Sequence, residues 1–466
     1  MKSRLLPLAA LAFLAAAAPA FADFDIDAKA REVAKSLVIV EYTLRNENGS
    51  REESGQGIVV HKDGIVMISG GMIPDALPKE YIKDIKIRQP SKNFQPVNAT
   101  LLGRTKSRLF VYLKAEKPLD AAVFEPKDAV ATKLGQDVFG VALTPKSAGY
   151  NLYVGASQVR AVTELTHTFA TTASFGLTRA NSPVFDAKTG AFLGLVFPPL
   201  GEGMVLRDNT GSRRVELTDE DQASSYLVWD DIQYVFKDIP TKTFETRRAW
   251  LGIDQTAGLE ENVRELYKID EVAGVTIGST IQGEAADKAG LMARDIILGI
   301  DGKPFSTSVV PEMMVSHFQR QVDKRNPGDK MKLDILRDGK DRKTIEVTLT
   351  ATPKQASEMP HIHSARIGVT TRDLVFADAY NRKLPQDTKG VMVALVKNGS
   401  PAALGTTPLR SGYLITKVND QPVENQKQFL DLLKKEETDN ADAKEMVFLV
   451  ILQNGETQVC RIDLTK

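Results

Sequence analysis

The chain has few of the residues on which many functional sites depend. Its one cysteine, Cys460, rules out an internal disulfide, and an alternating strand around it favours a buried, inert thiol. Five histidines, with His361 and His363 the closest pair, give no cluster with metal-ligand spacing, and no phosphate-binding glycine loop is present. We therefore expect no cofactor.

An excess of charge of either sign is also absent. Sixty basic residues balance sixty acidic ones, so no net field attracts nucleic acid or an anionic membrane surface. Beyond residue 22, no apolar run approaches the roughly 20 residues that a membrane-spanning helix needs. We expect neither a nucleic-acid partner nor a membrane span in the mature chain.

The N-terminus has the pattern of a secretory signal. Lys2 and Arg4 precede an apolar run over Leu5–Ala18, and Ala20-Phe21-Ala22 follows as a small-x-small cleavage site. This order predicts a signal peptide over residues 1–22, with the mature chain starting near Asp23; the alternative is an uncleaved anchor. An exported chain without disulfides suits the periplasm or secretion.

The length and the pattern of apolar residues indicate several domains. A chain of 466 residues is too long for one core, and its 42% apolar and 26% charged residues are typical of globular domains. Short apolar runs at Val138–Leu143 and Phe192–Phe197, and a hairpin turned by Asp63-Gly64, predict an all-β domain over residues 23–238. Asp27–Ser36 reads as a short helix before it.

Two segments of this part have loop or linker composition. Residues 198–224 contain several glycines and an Arg213-Arg214 pair, which fits a solvated loop or an interaction arm. Residues 239–248 are rich in Thr, Lys and Arg and predict a linker.

A motif then appears twice. Trp250-Leu251-Gly252-Ile253 opens one unit, and Arg366-Ile367-Gly368-Val369 opens the next. Similar turn, hairpin and helix patterns follow each opening in the same order, which predicts two tandem domains rather than a solenoid. We place them at residues 249–352 and 365–466, with a linker at 353–364.

These motifs resemble those of the HtrA (DegP-like) family. The hairpin from Gly55 to Ile68 and the stretch from Phe169 to Val196 are similar to its trypsin-fold protease domain, and the repeated units look like its PDZ domains. The resemblance implies a mainly β protein: a trypsin-like double β-barrel followed by two PDZ domains (α+β).

The resemblance also implies that the catalytic triad is lost. The positions of the base, the orienting acid and the nucleophile align with Gly71, Arg108 and Ala180. If the register shifts by two, Ser182 takes the nucleophile position, but Pro183 then removes a backbone donor from the turn. Ser182 is therefore the fallback nucleophile.

PDZ-like units imply peptide binding. A PDZ domain adds a peptide strand to its sheet edge, and backbone N–H groups beside the loop glycine hold the terminal carboxylate. The candidate peptide-binding residues are the two opening motifs and two helix residues: Trp250, Leu251, Gly252, Ile253, Met314, Phe318, Arg366, Ile367, Gly368 and Val369. The alternatives are that the helix residues form a core face and that the glycines only form turns.

The sequence thus predicts an exported pseudoprotease that binds C-terminal tails or unfolded β-prone segments of envelope proteins, as an adaptor, scaffold or holdase. One alternative is a divergent serine endopeptidase of periplasmic quality control that uses Ser182. Another is a regulatory subunit of an active relative. The resemblance implies a homo-oligomer, a trimer in related proteins.

Overall fold

The computed structural model describes residues 24–90, 95–164, 167–173, 177–197, 204–207, 214–217, 225–269, 271–439 and 444–465. The predicted signal peptide (residues 1–22), Asp23 and most of segment 198–224 lie outside these residues.

The first barrel is closed by six antiparallel strands in the order β1-β2-β3-β6-β5-β4. Every residue of its third strand is buried, and the turn before that strand places Gly64 at φ +73°, as the Asp63-Gly64 pair predicts. Closure leaves no free sheet edge. A short helix, α1 (Ile26–Ala34), precedes the barrel, and the Asp25 carboxylate caps it by accepting from Ala28 N–H at 2.9 Å. The strands are β1 (Leu37–Asn46), β2 (Gly49–His61), β3 (Ile65–Ser69), β4 (Ile82–Arg88), β5 (Val97–Arg104) and β6 (Phe110–Ala115).

The second barrel closes in the order β10-β11-β14-β9-β8-β7. Inside segment 198–224, two further strands pair as a separate hairpin with Met204 opposite Leu217. Two short helices, α2 (Trp229–Ile232) and α3 (Tyr234–Lys237), end the domain. The strands are β7 (Asp137–Leu143), β8 (Leu152–Glu164), β9 (Thr168–Thr172), β10 (Pro183–Asp186), β11 (Phe192–Val196), the hairpin β12 (Met204–Arg207) and β13 (Arg214–Leu217), and β14 (Ser225–Val228).

Aromatic side chains join the two barrels in one core. Phe124, on the connection between the barrels, has ring contacts with Phe185, Phe192 and Phe236 at centroid distances of 5.4–6.4 Å. Buried phenylalanines contribute large apolar areas, so this cluster fixes one barrel against the other. The cleft between the barrels is therefore rigidly framed.

The segment predicted as the first linker is docked on the first barrel. Phe244 N–H donates to the Leu102 carbonyl at 3.0 Å, and the Phe244 ring lies 6.2 Å from that of Tyr112. Thr246 Oγ1 also donates to the Arg104 carbonyl at 2.9 Å. These contacts attach the second half of residues 239–248 to the barrel through Phe244 and Thr246.

The first repeated unit is an antiparallel sheet in the order β16-β17-β18-β20-β21, with helix α6 packed across β16. Its helices are α4 (Glu261–Tyr267), α5 (Ala285–Lys288) and α6 (Pro311–Asp323). Its strands are β15 (Ala249–Trp250), β16 (Ile253–Gly258), β17 (Val275–Thr280), β18 (Ile296–Ile300), β19 (Lys303–Pro304), β20 (Lys330–Arg337), β21 (Asp341–Thr348) and β22 (Thr350–Ala351).

The second unit repeats this plan, with one addition at the sheet edge. Its order is β23-β24-β25-β26-β28-β29, and the extra strand β23 comes from the segment 353–364 that the sequence predicts as a linker. Cys460 is fully buried in the last strand, and burial raises the pKa of its thiol. The helices are α7 (Phe376–Asn381), α8 (Pro401–Leu404) and α9 (Gln426–Asp439); the strands are β23 (Ile362–Ser364), β24 (Val369–Asp373), β25 (Val391–Val396), β26 (Leu414–Val418), β27 (Gln421–Pro422), β28 (Glu445–Ile451) and β29 (Thr457–Asp463).

The architecture is the predicted one: a mainly β, trypsin-like double barrel followed by two α+β units. Among the described residues, no helix combines the length and the apolar character needed to cross a membrane.

Candidate functional site

A cleft between the two barrels contains two of the three positions that the resemblance aligns with a catalytic triad. Gly71 and Ala180 line the same cavity of about 470 Å³, together with Tyr42 and Met72. Gly71 N–H donates to Ser69 Oγ at 3.3 Å. Because neither glycine nor alanine carries an ionisable or nucleophilic group, these two positions can supply space but no proton transfer.

Arg108 lies beside this cleft but turns its side chain away from it. A Cβ atom placed on Gly70 would overlap with the Arg108 carbonyl, so the two backbones are adjacent. The Arg108 guanidinium instead lies 3.5 Å from Asp75 Oδ2 and donates to the Thr246 carbonyl at 3.2 Å. The structure thus places the Arg108 backbone next to Gly70, while the Arg108 side chain anchors the docked linker.

Ser182 is fully buried between the barrels. Its Oγ accepts from Gln56 Nε2 at 3.2 Å, and the same nitrogen donates to the Asn181 carbonyl at 3.3 Å. Gln56 Oε1 accepts from Leu143 N–H at 2.8 Å. Gln56, which the sequence does not single out, therefore ties the first barrel to β7 and to the turn at 181–182.

The turn before Ser182 is held in an unusual backbone conformation. Asn181 has φ +66° and is 1% exposed, and its Nδ2 donates to the Met67 carbonyl at 3.0 Å. Asparagine tolerates this left-handed region better than most residues do. The turn is thus fixed by hydrogen bonds across the domain, with the Ser182 hydroxyl directed into the interior.

No histidine lines this cleft in the described part of the chain, which includes all five. The rings of His61 and His167 contact Asp63 and Asp231, respectively. Those of His317, His361 and His363 contact Phe305, Glu80 and Thr370, respectively. Two of these contacts are His–Asp pairs, His61 with Asp63 at 3.7 Å and the less exposed pair His167 with Asp231 at 3.5 Å. Burial alone would raise the pKa of Asp231, but hydrogen bonds from His167 and from Thr168 N–H hold it below its ordinary value.

The His167–Asp231 pair contributes to an interdomain contact. Arg320 Nη2 on α6 donates to Asp231 Oδ1 at 2.8 Å, and Arg320 Nη1 donates to Thr168 Oγ1 at 3.2 Å. The Arg320 and Asp231 side chains are only 12% and 14% exposed. The arrangement fixes the first repeated unit to the second barrel, and we assign no chemistry to it.

The opening loop of the first repeated unit has the geometry of an anion-binding turn. Gly252 has φ +72°, and a side chain there would overlap with Glu284. The carbonyls of Leu251 and Gly252 accept from Ala286 N–H at 2.7 Å and from Ile281 N–H at 2.8 Å, which turns the loop carbonyls inward. Leu251 N–H and Gly252 N–H donate to no backbone carbonyl of the described loops and turns, which leaves them available to a ligand.

The loop of the second unit is built in the same way. Gly368 has φ +73°, and the carbonyls of Ile367 and Gly368 accept from Ala402 N–H at 3.0 Å and from Lys397 N–H at 2.8 Å. The two loops thus share a backbone structure, as the repeated motif predicts. They differ in that Gly368 N–H already donates to the Ser364 carbonyl at 2.9 Å.

Several side chains predicted to contact peptide are buried instead. Met314 and Phe318 are 1% and 4% exposed in the core of the first unit, because α6 turns its apolar side toward the sheet. We correct their assignment to core residues, which was the alternative for this helix. Leu251, Ile367 and Val369 are also buried, so these loops offer mainly backbone.

The other predicted contacts lie at the surface or between units. Trp250 is partly buried against Phe376 of the second unit, with ring centroids 5.7 Å apart. Tyr380 Oη donates to Asp254 Oδ2 at 2.7 Å in the same contact. Ile253 and Arg366 are half-buried. A spacing argument could not find Phe376 and Tyr380, since they belong to a different unit from the loop that they flank.

The described residues contain no group of three or more His, Cys, Asp or Glu side chains arranged to hold a metal ion. The candidate sites are therefore the cleft between the barrels and the two loop-and-edge grooves.

Comparison with known proteins agrees with this architecture. A PDZ domain family model matches residues 251–349. The chain is 23% identical to a probable periplasmic serine endoprotease DegP-like of Pseudomonas putida (strain GB-1), over 84% of this chain and 76% of the relative. It is 24% identical to a protein of the same description from Ectopseudomonas mendocina (strain ymp), over 83% and 76%.

Solved structures show the same fold. The HtrA-type protease AlgW with decapeptide has a TM-score of 0.50 at 16% identity and covers 70% of this chain and 99% of its own. AlgW with tripeptide has a TM-score of 0.51 at 17% identity, over 70% and 98%. With two closed barrels, a PDZ match over residues 251–349 and similarity to DegP-like relatives along most of its length, the chain has the architecture of a trypsin-like double barrel followed by two PDZ domains, PDZ1 and PDZ2 below.

Proposed function

We propose that this protein is an exported HtrA/DegP-like pseudoprotease that binds C-terminal tails or unfolded segments of envelope proteins through a PDZ domain. It acts as an adaptor, scaffold or holdase. The observation that carries the proposal is the pairing of an open loop in PDZ1 with a cleft lined by Gly71 and Ala180, the two residues that the resemblance aligns with the base and the nucleophile.

The proposed loss of peptide hydrolysis rests on two missing groups, the general base and the nucleophile. Removing either the nucleophile or the base of a serine protease lowers turnover by about 10⁶, because the triad acts as a unit. The Ser182 hydroxyl is fully buried and hydrogen-bonded to Gln56, so it has no surface to present to a carbonyl. This combination supports binding without hydrolysis.

The test is hydrolysis of an unfolded substrate. We expect the purified mature chain and its Ser182→Ala variant to leave fluorescent casein intact over hours, at the rate of a buffer blank. Casein cleavage by the parent that disappears in the variant would show that Ser182 is a nucleophile. Trypsin in the same assay controls for substrate quality.

Peptide binding has a separate test. An apolar C-terminal peptide is expected to bind the parent at about micromolar strength, near −8 kcal/mol, as PDZ-type modules do. Gly252→Glu should abolish this binding, because a side chain at φ +72° overlaps with Glu284 and blocks the loop. Binding that is unaffected by Gly252→Glu would contradict the assignment of PDZ1.

Export is part of the proposal. The relatives named above are described as periplasmic, and residues 1–22 have the pattern of a signal peptide. We expect the protein from a periplasmic extract to begin near Asp23. N-terminal sequencing of that protein checks this, and an intact Met1 on a membrane-associated form would indicate an anchor instead.

The second candidate is a divergent serine endopeptidase. The names of the DegP-like relatives favour it, since they are described as endoproteases. It requires Ser182 to become exposed by a rearrangement of the turn at 181–182. Covalent labelling of Ser182 by a fluorophosphonate probe would support this candidate and refute the pseudoprotease.

A further inference from the structure

The two PDZ domains differ at the sheet edge with which a bound peptide strand would pair. In PDZ1, β16 is the last strand of the described sheet, and Gln255 and Ala257 on it are exposed. In PDZ2, the equivalent strand β24 has a further strand, β23, paired to its outer edge. As a result Val369, Thr370 and Thr371 are no more than 1% exposed.

The added strand occupies the place of a ligand. It runs antiparallel to β24, with Ile362 opposite Thr371 and His363 opposite Thr370. Its last residue, Ser364, accepts through its carbonyl from Gly368 N–H at 2.9 Å. That N–H belongs to the loop that would hold a terminal carboxylate, so the Ser364 carbonyl stands where the peptide terminus would be.

The helix beside the groove also contacts this segment. Gln426, at the first position of α9 and 5% exposed, donates through Nε2 to the Thr371 carbonyl at 2.5 Å and to the Pro360 carbonyl at 3.2 Å. One side chain thus bonds both the edge strand and the segment laid along it. In PDZ1, the N–H of Gly252 donates to no backbone carbonyl of the described loops and turns.

The same segment is held from its other side by the first barrel. His361, whose side chain is 5% exposed, lies with its ring 5.8 Å from that of Tyr81 and its N–H 3.4 Å from Glu80 Oε1. Ser357 Oγ donates to the Asp75 carbonyl at 2.6 Å. Removing β23 from PDZ2 therefore strains contacts between residues 357–361 and the barrel.

We propose that residues 360–364 are a built-in pseudo-ligand that closes PDZ2, so that only PDZ1 takes a free C-terminus while PDZ2 is docked. The proposal rests on the proposed peptide binding and narrows it to one groove. Because residues 360–364 are joined to β24 by a short loop, their effective concentration at the groove is roughly millimolar. A free peptide of equal intrinsic affinity must approach that concentration to displace them. Opening of PDZ2 and release of its linker from the barrel are coupled events.

The closed edge is tested first without any peptide, by hydrogen exchange of the full mature chain. We expect β24 amides to exchange at least about tenfold more slowly than the outward amides of β16, because pairing protects them. Ile362→Pro, which removes a backbone donor from β23, should raise exchange in β24, whereas Ile362→Ala should not, because that side chain is 40% exposed. Equal exchange in β24 and β16 of the parent, or protection unchanged by Ile362→Pro, would overturn the proposal.

The consequence for binding is tested with an apolar C-terminal peptide that carries a photoreactive group. We expect one site in the parent, cross-linked within PDZ1, and none in Gly252→Glu. Adding Ile362→Pro to Gly252→Glu should create one site in PDZ2, which Gly368→Glu then removes; Ile362→Ala should create none. A PDZ2 cross-link in the parent or in Gly252→Glu alone would show an open groove and refute closure.

The two proposals can fail separately. If no variant binds peptide while the exchange pattern is as expected, peptide binding is refuted and the occupied edge stands. If the parent binds two peptides, peptide binding stands and closure is refuted.

Discussion

Gln56 offers the sharpest test of whether Ser182 is a structural or a chemical residue. The Gln56 side chain is 4% exposed and bonds Leu143 N–H, the Asn181 carbonyl and the Ser182 hydroxyl. Leucine has a similar volume but no polar atoms, so Gln56→Leu leaves all three partners without this bond. Ser182→Ala removes one hydroxyl and leaves Gln56 Nε2 bonded to the Asn181 carbonyl.

The two changes should differ in size. A buried N–H left without a partner costs about 1–3 kcal/mol, and a carbonyl and a hydroxyl beside it add to this, so we expect about 2–4 kcal/mol for Gln56→Leu. Ser182→Ala creates no buried donor without a partner and should cost about 1 kcal/mol. If Ser182 were a nucleophile, its replacement would instead abolish hydrolysis with little effect on stability.

The assay is urea unfolding of the full chain, followed by the fluorescence of Trp229 in a Trp250→Phe background. Trp229 is the only tryptophan left there, and its ring packs on Phe192 and Phe236, so it reports on the barrel domain. We expect a lower midpoint with an unchanged slope. A Gln56→Leu cost below about 0.5 kcal/mol would refute the structural role of this network.

Three further predictions concern the PDZ domains: two on their contacts with the barrels and one on the core of PDZ1. Burial lowers the pKa of His361 below its ordinary 6.5, against the opposing effects of Met359, Glu80 and Glu47, so the docked segment holds the neutral ring. Its contribution is complete above pH 6.5 and is lost as the pH falls through the lowered value, so acid should reduce the protection of β24 amides, measured as the exchange rate relative to the intrinsic rate at the same pH. His361→Gln should remove this loss of protection. Arg320→Gln leaves Asp231 buried with fewer partners and should loosen PDZ1 by about 1–3 kcal/mol, seen as a larger radius of gyration in solution scattering; an unchanged radius would contradict this. Met314→Ala should destabilise PDZ1 by about 2–4 kcal/mol, whereas Met313→Ala, at a half-buried position, should cost less than about 1 kcal/mol. Equal melting temperatures of the two variants would indicate that Met314 lines the groove and is not a core residue.

The sequence predicts the fold well because its signals are local. The Asp63-Gly64 turn, alternating strands such as Val138–Leu143 and the helix after Asp25 each depend on residues near in the chain. The repeated Gly252 and Gly368 loops are recognisable for the same reason, since a left-handed glycine and its flanking apolar pair form one short motif. Neighbouring residues therefore suffice to predict the strands, the turns and the repeat, whereas the double barrel and the two PDZ domains are what the family resemblance implies.

The candidate sites are predicted only in part. Gly71 and Ala180 meet in one cleft because the barrels bring distant segments together, which the resemblance implies and a spacing argument could not derive. Met314 shows the limit of periodicity: the same spacing fits a groove face and a core face, and only the packing of α6 on the sheet distinguishes them.

By itself the sequence determined which elements form, in what order, and which side chains the resemblance aligns with the catalytic positions. Tertiary structure alone decided that the Ser182 hydroxyl faces Gln56 in the interior and that residues 362–364, three residues of an apparent linker, complete the sheet of PDZ2. The physical reason is that hydrogen bonding to a strand edge depends on which backbone lies beside it. A short segment has no pattern of its own until the edge of β24 and the surface of the barrel position it.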